Sequence, residues 1–76
     1  MDKVDYTKRQ EAIAKRIKEL RINAGYTSYK KFAIEHNFEN KSVWRWEEGV
    51  NYTVDTLFKI MDIHNITIEE FFKGMK

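Results

Sequence analysis

The sequence predicts an all-α domain, a compact bundle of five short helices. Three observations carry this. All three glycines and two of the asparagines each close a run of helical spacing and precede an apolar residue: Ala24-Gly25-Tyr26, His36-Asn37-Phe38, Glu48-Gly49-Val50, His64-Asn65-Ile66 and Lys73-Gly74-Met75. Helices commonly end on a left-handed residue, usually Gly and sometimes Asn, with the next apolar side chain folding back on the last turn. Apolar residues recur three and four positions apart, as one face of a helix requires. The chain has no proline, and nothing alternates with period two beyond the short Ile66-Thr67-Ile68.

Each element then follows in order. Ile13, Ile17, Leu20 and Ala24 mark one face of a first helix from about Thr7 to Ala24. Thr27 or Ser28 can cap a second helix, with Tyr29, Phe32, Ala33 and His36 along one side. The third runs from about Asn40 to Glu48, with Val43 and Trp46 three apart. Thr53 is a plausible cap for the fourth, which carries Val54, Leu57, Phe58, Ile60 and Met61. Thr67 with Glu70 three residues on forms a capping-box pattern at the start of a short fifth, which presents Phe71, Phe72 and Met75. Connections of a few residues force neighbouring helices to pack at angles around one core.

Composition bounds the function. Seventy-six residues make one small domain over 1–76, with a core of about 9–73. At 42% hydrophobic and 14% aromatic the chain is too apolar for a disordered tail. The absence of cysteine rules out disulfides, thiolate metal sites and cysteine nucleophiles. No apolar run is long enough for a membrane span or a secretory leader, so a cytoplasmic protein is expected. No convergent acid, base or nucleophile points to an enzyme, and nothing calls for a cofactor, a metal or a small-molecule ligand. Charge is lopsided. Residues 1–45 hold eleven Lys/Arg against six Asp/Glu, a net of +5, whereas residues 46–76 hold three against six, a net of −3. A basic half on a nearly neutral domain is an electrostatic footprint for a polyanion.

The second and third helices form the informative pair. They are short and joined through His36-Asn37-Phe38-Glu39, the pattern of a helix-turn-helix: Asn37 permits the sharp turn and Phe38 plugs the corner. In the third helix Val43 and Trp46 point to the core, so Asn40, Lys41, Trp44 and Arg45 lie on the opposite side. A two-turn helix is unstable alone, and a polar face that docks onto a partner gives it a purpose. Those groups suit duplex DNA. Arg45 can bind guanine bidentately, Lys41 can donate to the same acceptors or to phosphate, and Asn40 can pair with adenine. Ser42 and the Trp44 indole N–H can donate to phosphate oxygens. Lys30 and Lys31 sit where the second helix would cross the backbone, and the amides at that helix start are phosphate ligands.

With these residues in view, the chain resembles the helix-turn-helix DNA-binding domains of the XRE family, the phage lambda repressor and Cro-like proteins. The resemblance rests on Ile17-Lys18-Glu19-Leu20-Arg21, Gly25-Tyr26-Thr27, Phe32-Ala33, Val43-Trp44-Arg45-Trp46-Glu47-Glu48-Gly49, Thr56-Leu57-Phe58-Lys59-Ile60 and Ile66-Thr67-Ile68-Glu69-Glu70-Phe71-Phe72, and spans residues 13–73. It implies a lambda-repressor-like fold, sequence-specific binding to double-stranded DNA, usually as a homodimer, and transcriptional regulation. It assigns the third helix to the major groove, and gives backbone contacts to the start of the second helix and to Val50, Asn51 and Tyr52. It also implies a structural ion pair between Arg21 and Glu47. Two departures stand out. The segment from Gly25 to Phe32 is one residue longer than the common form. Ser28 or Tyr29 stands where a phosphate-binding glutamine is usual, and Tyr29 is either a phosphate contact or part of the core.

Three further expectations complete the reading. Phe58, Phe72 and Met75 exceed what one small core absorbs, which suggests a two-fold interface. The histidines, His36 and His64, each precede a terminating Asn, where their rings would cap helix carbonyls. Lys8, Arg9, Lys15 and Arg16 on the first helix either touch phosphate or face solvent. A rival function is a protein-interaction module, such as an antitoxin or anti-repressor, whose main contact is another protein.

Overall fold

The computed structural model describes residues 6–49 and 52–75. Five helices follow one another: α1 (Thr7–Asn23), α2 (Tyr29–Glu35), α3 (Asn40–Glu47), α4 (Val54–His64) and α5 (Ile68–Phe72). No strand occurs among the described residues.

The starts and stops are written in local chemistry. Ser28 caps α2, its Oγ accepting from the Lys30 N–H at 3.2 Å. Thr53 caps α4 by accepting from the Thr56 N–H at 3.2 Å. At α5 the Thr67 Oγ1 accepts from the Glu70 N–H and the Glu70 carboxylate accepts from the Thr67 N–H, both at 3.0 Å. Each such cap satisfies donors that the helix itself leaves unpaired. The bond from the Thr67 N–H holds the Glu70 carboxyl below the ordinary range, with the Thr67 side chain contributing next. At the other ends, Gly25, Asn37, Gly49, Asn65 and Gly74 all have positive φ. The requirement is sharpest at Gly49 (φ +85°), where a Cβ would lie 3.7 Å from the Gln10 carbonyl oxygen and 3.8 Å from the Ala14 Cβ. The chain thus leaves α3 against the first turns of α1.

The core gathers one face from every helix: Ile17 from α1, Phe32 and Ala33 from α2, Val43 and Trp46 from α3, Leu57, Ile60 and Met61 from α4, and Phe71 from α5. Phe71, Ile60 and Val43 are sealed from solvent, and burying side chains of this size contributes about 1.5–3 kcal/mol each. α3 packs on both α1 and α2, while α5 packs on α4. Phe38 fills the corner between α2 and α3, stacking on Phe32 at 6.4 Å and meeting Trp46 edge-on at 5.1 Å.

Three expectations are corrected by the fold. The histidine rings lie against Phe32 (4.6 Å from His36, 5.7 Å from His64) rather than over helix carbonyls. An aromatic face offers a flat ring more buried area than a helix end does, so packing wins. The second concerns Arg16, which neither reaches outward nor stands free. Its Nη1 donates to the carbonyls of Glu70 (3.1 Å) and Phe71, and its Nη2 to that of Lys73 (2.8 Å). It closes the C-terminal end of α5, where orphan carbonyls attract a cation. Met75 likewise is half-buried against the core rather than free on the surface.

Candidate nucleic-acid interface

The outward side of α3 follows from its helical period. Val43 and Trp46 are buried, so the positions on the far side face away from the core. Asn40, Lys41, Trp44 and Arg45 are all exposed, Trp44 with 48% of its surface open to solvent. None of the four side chains makes a hydrogen bond or ion pair within the described residues. Together they form a ridge two helical turns long, carrying two cations, one amide and one indole. Two carboxylates, Glu39 and Glu48, stand at its ends and also face solvent.

What keeps the ridge turned outward is the ion pair beneath it. Arg21, near the end of α1, has 5% of its surface exposed. Its Nε donates to Glu47 Oε2 at 2.7 Å and its Nη2 to Oε1 at 3.0 Å. The remaining Nη1 donates to the Tyr26 carbonyl at 2.7 Å. This is the two-pronged geometry that a guanidinium offers a carboxylate. It fixes the last turn of α3 to α1 and to the loop before α2. The Tyr26 hydroxyl in turn donates to Glu35 on α2, and that bond raises the phenol above its ordinary range. No buried side-chain polar atom lacks a partner among the described residues.

The other residues singled out by the sequence divide. Lys30 and Lys31 are exposed in the first turn of α2, beside the Ser28 cap. Tyr29 and Tyr52 are half-buried and pack against the core, and burial raises the Tyr52 phenol above its ordinary range. Ser42 is half-buried, so it does not stand on the ridge with its neighbours. Asn51 and Val50 lie outside the described residues. On α4 and α5, Phe58 and Phe72 are exposed. Phe72 and Met75 border a shared apolar notch with Arg9, Ala12 and Ile13, and Phe58 is not part of it.

Sequence reasoning missed the role of Arg16 and the joint packing of both histidines on Phe32. The His64 imidazole is held below its ordinary range, first by burial and second by the nearby His36. Their shared position, one residue before a terminating Asn, was visible as a pattern. Which ring they would meet was not. Among the described residues no group of acidic, His or Cys side chains could hold a metal ion, and no helix is long and apolar enough to cross a membrane. No protein-family model, no curated protein and no solved structure matches the chain.

Proposed function

We propose that this chain is a sequence-specific binder of double-stranded DNA and a transcriptional regulator, with α2 and α3 as a lambda-repressor-like helix-turn-helix and α3 as the reading element. The observation that carries the reading is the α3 ridge. Asn40, Lys41, Trp44 and Arg45 are exposed together, unpaired within the described residues, on a helix held in place from beneath by Arg21 and Glu47. An α-helix fits the major groove, and these side chains match its donor and acceptor groups. Lys30, Lys31 and the α2 amides would meet phosphate, fixing the register in which α3 is presented.

A protein partner is favoured by a separate observation. Val54, Phe58, Ile68 and Phe72 on α4 and α5 are exposed apolar side chains, which suit contact with a second copy of the chain. A two-fold pair would set two reading helices about 34 Å apart.

Binding of labelled random-sequence duplexes across a salt series tests the reading. The logarithm of affinity should fall with the logarithm of salt at a slope of about −0.9 per phosphate contacted. Arg45→Ala should relax sequence preference more than it lowers total affinity, and Lys30→Ala should weaken all duplexes alike. Wild-type protein that shows no sequence preference would favour the protein-interaction module instead.

A further inference from the structure

The ridge carries one group that cations and an amide do not explain. Trp44 leaves nearly half of a large indole in water, yet the other big apolar residues of α3, Val43 and Trp46, are buried. It is the single exposed large apolar side chain on that helix. A protein-binding face would be expected to cluster such groups. Along α3 the indole stands alone, with Asn40 and Lys41 one turn before it and Glu48 one turn after. A lone apolar spot in a polar ridge calls for a lone apolar spot on the partner. In the major groove the only such spot is the C5-methyl of thymine.

The polar end of the indole narrows the choice further. Its Nε1–H donates and cannot accept. Thymine shows the O4 acceptor next to its methyl, so one flat ring can cover the methyl and donate to O4. Cytosine shows an amino donor at the same place and no methyl, so the indole N–H would meet another donor. We infer that Trp44 is a specificity-determining residue that reads thymine, by covering its C5-methyl and donating to its O4. The inference rests on the DNA-binding reading above and names a base for that same site.

The test starts from duplexes selected by the wild-type protein from a random pool. One thymine at a time is then replaced by uracil, which removes the methyl alone, by 5-methylcytosine, which keeps the methyl but reverses the polar group, and by cytosine, which changes both. At one thymine per half-site the wild type should lose about fourfold in affinity on going to uracil, the value of one apolar carbon group taken out of water. Cytosine should lose the most, with 5-methylcytosine between thymine and cytosine. Trp44→Ala should bind the thymine and uracil duplexes equally. Trp44→Phe should keep the methyl preference and lose discrimination between thymine and 5-methylcytosine. Because Trp44 is exposed, both variants should retain the helical content of the wild type. If the wild type selects a sequence but no uracil substitution changes its affinity, the thymine assignment falls while the DNA-binding reading stands. If Trp44→Ala keeps the wild-type methyl preference, another residue reads the base. If no duplex is selected at all, both fall.

Discussion

Two arginines on α1 each tie that helix to another, by opposite means. Arg21 is shut away from solvent and grips a carboxylate with two nitrogens and a carbonyl with the third. Arg16 lies at the surface, its side chain 25% exposed, and gathers three backbone carbonyls at the end of α5, with Glu19 at 3.8 Å beside it. One satisfies a full opposite charge in a dry seam. The other neutralises partial charges in a wet one. The difference teaches where the molecule tolerates change. Coulombic attraction and desolvation both grow when water is excluded, so the α1–α3 seam is costly to alter and the α1–α5 seam is forgiving.

Breaking one half of the buried pair should therefore have the largest effect. Glu47→Gln leaves the Arg21 charge in a dry site and should cost about 3–5 kcal/mol in urea unfolding. That is comparable to the whole stability of a chain this small, about 4–11 kcal/mol. Replacing both partners with apolar residues of similar volume should recover most of the loss, since no charge is then stranded. A double variant no better than the single one would show that the pair does more than satisfy itself.

At the other seam, Arg16→Ala should cost about 1–2 kcal/mol, the low end for bonds to a charged donor that water partly replaces. Its signature should be local: amide exchange speeds up in Phe71 to Met75 while α3 stays protected. Uniform loss of protection would contradict the separation of the two seams. Gly49→Ala, between α3 and the start of α1, should cost about 1 kcal/mol. The added Cβ meets ordinary contacts, so backbone strain in the left-handed region is the main penalty.

The smallest effect should come from acid. The folded His64 titrates below its unfolded value because burial disfavours its charged form. The unfolded chain therefore takes up the proton first, and stability should decline as pH falls from about 6.5 toward the lowered folded value. His64→Phe should flatten that part of a melting-temperature profile.

The same contrast marks how far the sequence could be read. Helix ends were legible because they are local: Ser28, Thr53 and Thr67 satisfy neighbours two or three positions on, and a positive φ is a property of one residue. The outward face of α3 was legible because Val43 and Trp46 fix which side is inside. Arg21 with Glu47 came from a family resemblance, since nothing in a separation of 26 positions singles out that pair. Arg16 was illegible for a physical reason. Its partners are backbone carbonyls 54 to 57 positions away, and every residue type supplies a carbonyl. Met75 was misplaced because a terminal apolar residue has no period to show which way it faces.

The two tryptophans of α3 have opposite surroundings, and that gives the protein a pair of native optical probes. Trp46, sealed against Phe38, should emit at short wavelength and shift red only when the fold opens. Trp44, bathed in solvent, should emit at long wavelength and be reached freely by acrylamide. A ligand seated on α3 would shield the second signal and leave the first alone, so occupancy and unfolding can be read separately in one unlabelled sample.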